Sequence, residues 1–221
     1  NDEDATSRIH LQFPHLELPK AVGEILNLAR ANGIDSHSLA EHERRSIKTF
    51  AAMCSASRDR DTQFYAAAMQ RFLEELDPND STQATREAAA KVRTILSLHD
   101  SLRGIGWDEL AALSNLKTGA KSRDAAETLK ETVRGFETEQ RFQQDVAAAI
   151  RFVFDLSRRA LDAYQRRKEL LGVIDFVDQE VYALELLRRE EVRQRLRGQI
   201  DLFLVDEFQD TNPLQMRLID L

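Results

Sequence analysis

The sequence predicts a mainly α-helical chain with one strand–helix piece of α/β type near residue 200. Three observations predict it. Only 8 Gly and 4 Pro punctuate 221 residues, too few turns for a many-stranded β fold. Apolar residues recur at helical spacing over most of the chain. From Ile200 to Val205 that period gives way to a mostly apolar run of strand length, without polar alternation after Asp201.

Pro19 stands at a first helical position, and Ala21 to Asn32 leads to Gly33 as a left-handed stop. Ser38 and Glu41 form a capping-box pair opening a helix that runs to about Ser57. Tyr65, Met69, Phe72, Leu73 and Leu76 mark one apolar stripe of the next. Asp77 to Asp80 is a turn, and Asp80 with Gln83 caps a helix that buries Ala88, Val92, Ile95 and Leu96 and ends near Gly104 to Gly106.

A short helix follows from Trp107 to Leu113, with Trp107 in the core, and the polar segment from Asn115 to Arg123 reads as a loop around Gly119. Phe142, Val146, Ile150, Val153, Ala160 and Tyr164 lie on one face of a long helix ending near Gly172. Asp175 begins another, with Phe176, Val181, Leu184 and Leu187 inward. After the strand, Asn212 as cap, Pro213 at the first helical position and Gln215 three after the cap start a last helix.

Composition narrows the function classes. No apolar run approaches the ~20 residues of a membrane helix, and the acidic start NDEDATSR does not read as a signal peptide. The absence of an initiator Met suggests that residue 1 is not the start of the gene. Cys54 is alone, which excludes an internal disulfide and points to a reducing, cytoplasmic setting. The net charge of −7 argues against a wholly DNA-coated surface, yet residues 151–198 carry 11 Lys and Arg against nine Asp and Glu.

The chemistry concentrates where the strand delivers two adjacent carboxylates, Asp206 and Glu207. In an open α/β sheet, ligands bind beyond the carboxyl ends of the strands. An Asp there can hold Mg²⁺ on nucleotide phosphates, and a neighbouring Glu can deprotonate the attacking water. A bare apolar–Asp–Glu pattern also fits an ordinary solvated turn. Residues 205–215, VDEFQDTNPLQ, go further. They resemble motif II, the Walker B element, of the UvrD/Rep-like superfamily 1A DNA helicases, which include the RecB and AddA helicase–nucleases.

That resemblance implies that Asp206 serves Mg²⁺ through water, that Glu207 is the catalytic base, and that Gln209 and Asp210 couple the nucleotide to neighbouring motifs and the DNA track. A second stretch is similar to the segment by which these helicases return to their first motor domain: Tyr164, Arg166-Arg167-Lys168 and the run from Gly172 to Asp178. The family often reads G-x-L-D-F-x-D-L there; Gln179 replaces the last Leu.

The resemblance implies residues 1–198 as a helical 1B-like subdomain and 199–221 as part of a RecA-like, P-loop NTPase core (motor domain 1A). It implies ATP and Mg²⁺ as cofactors in the full-length protein. The partners it implies are single-stranded DNA and duplex junctions, with either a nuclease domain or another polypeptide of the same complex as a further companion. Arg158, Arg159, Arg166, Arg167 and Lys168 are the candidate DNA contacts, although interleaved acidic residues also suit a solvated face.

ATP hydrolysis needs a phosphate cradle, G-x-x-x-x-G-K-[ST]. The nearest string, Gly119-Ala120-Lys121-Ser122, has no Gly directly before its Lys and, counted back from Gly119, has Ser114 where the first Gly belongs. Residues 1–221 alone are therefore expected to be inactive. His10, His15, His37, His42 and His99 show no metal-ligand spacing. The alternative reading is a non-enzymatic helical DNA- or protein-binding module whose end only imitates Walker B.

Overall fold

A computed structural model describes residues 6, 7, 9, 12–54, 58–98 and 105–221. His10, His99, the end expected near Ser57 and the one expected at Gly104 lie outside them. The described chain is mainly helical, and its contacts fall into two compact units: residues 1–16 with 47–149, and residues 17–46 with 150–221.

In the first unit, α3 (Thr62–Glu75), α4 (Gln83–Leu98), α5 (Trp107–Leu113) and α6 (Arg123–Val133) enclose one apolar core. The stripe read from the sequence is its centre: Tyr65, Met69 and Phe72 of α3 meet Val92 and Ile95 of α4 and Leu129 and Val133 of α6. Trp107 is buried, stacks on Phe136 with centroids 6.1 Å apart, and donates from Nε1 to Asp145 at 2.9 Å.

Two polar clamps hold this unit's connections. Glu139 is buried, and its carboxylate accepts from the Tyr65 hydroxyl at 3.0 Å and the Arg60 amide at 2.8 Å. Burial and that carboxylate together push the Tyr65 phenol up to about 12. Asp80, expected as a helix cap, instead binds the 119–122 loop and accepts from the Ser122 amide at 3.1 Å. Thr82 takes the cap, its hydroxyl accepting from the Thr85 amide at 3.3 Å. Any Cβ at Gly119 would collide with the Asp80 carboxylate and the Thr82 hydroxyl, so the close approach requires Gly.

In the second unit, α1 (Leu18–Ala31) ends at Gly33 with φ 64°, as its sequence requires. A side chain at Gly33 would press on Leu214 of α10 (Pro213–Ile219), where Arg217 donates to the Asn32 carbonyl at 2.6 Å. Two long helices enter both units, α2 (Ser36–Met53) and α7 (Gln140–Leu171). α2 starts a turn earlier than Ser38–Glu41 implied: Asp35 accepts from the Ser38 amide at 2.7 Å, and Glu41 pairs with Arg44 instead. α8 (Phe176–Leu187) and α9 (Glu190–Arg197) complete the unit. Leu184 is buried as expected, but Phe176, expected inward, is 84% exposed: as the first residue of α8 it lies off the Leu184 face.

The expected strand is not formed. The only β-pairing among the described residues is the isolated Arg58–Glu139 bridge, and Ile200 to Val205 is irregular, with a bend at Asp201, and exposed. A strand is stabilised by backbone pairing with a neighbour, and no other described segment of this helical chain supplies one.

Candidate functional site

The carboxylate pair sits on a sharply shaped turn. Glu207 has φ 52° and ψ 44°, the only left-handed non-glycine residue among those described. That conformation costs a side chain roughly 1–2 kcal/mol and collects at functional sites. A 3₁₀ turn, Phe208–Asp210, follows at once, with the Asp210 amide donating to the Glu207 carbonyl at 2.9 Å. The Asp206 carboxylate accepts from the Glu207 amide at 2.9 Å, and the Gln209 side-chain amide donates to the Glu207 carboxylate.

α10 then begins as the sequence indicated. Asn212 Oδ1 accepts from the Leu214 and Gln215 amides, both at 2.8 Å, and Gln215 Oε1 accepts from the Asn212 amide at 3.1 Å. Asp206, Glu207, Asp210, Thr211 and Gln215 line one open cleft of about 490 Å³, closed on its apolar side by Phe203 to Val205, Leu218 and Ile219. Its lining holds three carboxylates and no cationic side chain. Among the described residues no group of three such side chains is gathered to hold a metal ion by itself; exposed carboxylates suit Mg²⁺ where water and phosphate oxygens complete its shell.

A second polar centre joins α1, α7 and α8. Asp175 caps α8, accepting from the Val177 amide at 3.0 Å, while Asp178 accepts from the Asp175 amide at 2.9 Å. The Asp175 carboxylate also accepts from Arg30, from the Tyr164 hydroxyl at 2.8 Å and from Lys168 at 3.3 Å. Lys168 pairs with Asp178 as well, and both cations lie over the Tyr164 ring, Arg30 at 4.7 Å and Lys168 at 4.8 Å from its centroid. Burial opposes ionisation of Asp175, but hydrogen bonds from Tyr164, the Asp178 amide and Lys168, with the Arg30 charge, outweigh it and hold the carboxyl at about 2.

This arrangement separates the five candidate DNA contacts. Arg166 and Arg167 are exposed, and Arg158 and Arg159 both pair with Asp155 on the same helix, at 2.9 and 3.2 Å. Lys168 is only 6% exposed and turned the other way. It lies about 200° around the helix from Arg166, in line with buried Ser157 and Val153. The Gly119 to Ser122 string is closed on the protein: Gly119 donates its amide to the Thr85 hydroxyl at 2.8 Å and Ser122 donates to Asp80.

Two participants escaped the sequence reading. Arg30 meets Asp175 across 145 residues, a pairing with no local signal. Glu180 accepts from Asn212 Nδ2 at 3.3 Å and from Gln215 Nε2 at 2.6 Å, so it holds both capping side chains of α10. Its only trace in the sequence was a polar residue within an apolar helix.

Comparison with known proteins places the chain in a family. The family model described as UvrD/REP helicase N-terminal domain matches residues 10–221. An ATP-dependent helicase/nuclease polypeptide of Clostridium novyi (strain NT) is 42% identical over 66 residues, which is 30% of this chain and 5% of that protein. Its namesake in Syntrophomonas wolfei subsp. wolfei (strain DSM 2245B / Goettingen) is 24% identical over 162 residues, covering 65% of this chain and 13% of that protein. The one in Geobacillus kaustophilus (strain HTA426) is 29% identical over 133 residues, 54% and 10% respectively. The chain thus spans 5% to 13% of the length of these relatives. No solved structure matches it. Over nearly its whole length, then, this chain belongs to the UvrD/REP helicase family, as part of the family's N-terminal domain.

Proposed function

We propose that the chain is the part of a cytoplasmic, ATP-dependent DNA helicase that carries the hydrolytic carboxylates, with residues 1–198 as its helical 1B-like subdomain and 199–221 entering the RecA-like core. The observation that carries this reading is the left-handed Glu207 beside Asp206 at the mouth of a cleft without cations. In the full-length protein Mg²⁺·ATP supplies the phosphoryl group and the metal that neutralises its charge. Asp206 would hold the metal through water. Glu207 accepts a proton from the attacking water at its carboxylate, and Gln209, which donates to that carboxylate, fixes its orientation. Asp210 lies on the same cleft wall. The phosphate cradle comes from elsewhere in the protein, since the amides of Gly119 and Ser122 are already engaged.

DNA is the second substrate of this reading, contacted by the exposed Arg166 and Arg167 and by Arg158 and Arg159 after exchange from Asp155. DNA-stimulated ATP hydrolysis by the full-length protein tests the proposal. Hydrolysis that rises with single-stranded DNA supports it; a full-length protein with no ATPase activity, with or without DNA, contradicts it.

A further inference from the structure

From α8, Glu180 bonds the side chains of Asn212 and Gln215, which follow directly on the carboxylate turn. It lies on α8, five residues beyond the Asp175 cap, and its carboxylate spans the two side chains that initiate α10. Gln215 is bonded on one side to Glu180 and on the other lines the cleft with Asp206, Glu207 and Asp210. Asn212 is two residues beyond the 3₁₀ turn whose first carbonyl belongs to Glu207.

Residues 201–205 make no backbone hydrogen bond among the described residues, so the polar anchoring of this turn lies on the α10 side. There the contact is charge-assisted, with a carboxylate accepting from two amide groups at once, and such bonds are about twice as strong as neutral ones. α8 is itself anchored, since Arg30, Tyr164 and Lys168 hold its first turn through Asp175 and Asp178.

We propose that Glu180 is a positioning residue for ATP hydrolysis: through Asn212 and Gln215 it fixes the turn that aims Glu207. This rests on the function proposed above. A Gln at 180 keeps the shape, but its single oxygen accepts one amide and its NH₂ faces the other donor, so one contact is lost. A Glu207 displaced by even a fraction of an ångström slows the chemical step without emptying the site.

The test is single-turnover ATP hydrolysis by the full-length protein with saturating DNA. Glu180→Gln should lower the rate constant roughly ten- to a hundredfold. The amplitude, which counts active molecules, the ATP affinity and the melting temperature should stay close to the parent's. Asn212→Asp alone sets two carboxylates against each other and should slow the step similarly. The double variant Glu180→Gln/Asn212→Asp restores complementary partners, because the Gln NH₂ can donate to the Asp while its oxygen accepts from Gln215, and Asp caps a helix as well as Asn. Its rate should return to within about threefold of the parent.

A Glu180→Gln rate equal to the parent's overturns the inference. So does a double variant as slow as either single one, or a loss confined to amplitude. Glu207→Gln, assayed in parallel, separates the two levels of the account. If it hydrolyses ATP at the parental rate, the proposed function fails; if it is slow while the Glu180 variant is not, only the positioning role fails.

Discussion

The Tyr164 hydroxyl donates to the Asp175 carboxylate at 2.8 Å, bringing the end of α7 onto the cap of α8. Lys168, one turn further along α7, closes the same loop through Asp175 and Asp178 and is almost fully buried in doing so. An ammonium group so placed is held by its two carboxylates, which raise its pKa although burial opposes this.

Replacing Lys168 by Met keeps most of the stem and removes the charge. Asp178 then lies part-buried without its cation, with Asp175 left to Arg30. Breaking a buried pair from one side costs about 3 kcal/mol. Chemical denaturation of the chain should show a loss of that size in the second unit, whereas Arg166→Met, on the exposed face, should change stability by less than about 0.5 kcal/mol. Equal effects from the two would contradict the assignment of Lys168 to the structural network.

The low pKa of Asp175 sets a pH window. The folded value of about 2 lies below the ordinary 3.8, so the unfolded chain binds more protons as the pH falls. The stability from this group, about 2 kcal/mol, is present above pH ~4 and is lost as the pH falls toward ~2. Asp175→Asn should lower stability at neutral pH and flatten its decline between those values. Melting temperatures of parent and variant measured from pH 6 to pH 2 check this; parallel curves would contradict it.

Binding to DNA by the isolated chain should be weak and independent of sequence, because the net charge is −7 and Arg158 and Arg159 share Asp155. Neutralising about two to four phosphates gives a shallow logarithmic salt slope, roughly −1.5 to −3.5. Changing Arg158, Arg166 and Arg167 together to Glu should abolish the binding, with helical circular dichroism unchanged. A triple variant that binds as well as the parent would show that this face is only solvated.

Local structure was legible in the sequence wherever a signal acts within a few residues. The Gly33 stop, the Asp175 cap, the Asn212–Gln215 box and the Tyr65–Met69–Phe72 stripe all follow from i, i+3 and i+4 chemistry. Where two caps compete at short range the reading slipped. Asp35 took the role given to Ser38, and Thr82 freed Asp80 to hold the 119–122 loop.

What the sequence did not show depends on distance or on partners. Arg30 finds Asp175, and Glu180 finds Asn212 and Gln215, only after the helices have packed. Lys168 belonged to a basic triplet by sequence, yet helical geometry points it away from Arg166 and inward. The apolar segment 200–205 has strand composition, but composition without a pairing neighbour leaves an exposed, irregular chain.

The central claim is that Glu207 takes the proton of the attacking water. In the full-length protein, Glu207→Gln preserves size and hydrogen-bonding reach while removing the base. ATP should bind with nearly unchanged affinity, and single-turnover hydrolysis with saturating DNA should slow by about 10²–10⁴-fold. A Glu207→Gln enzyme that binds ATP and hydrolyses it at the parental rate would contradict the account.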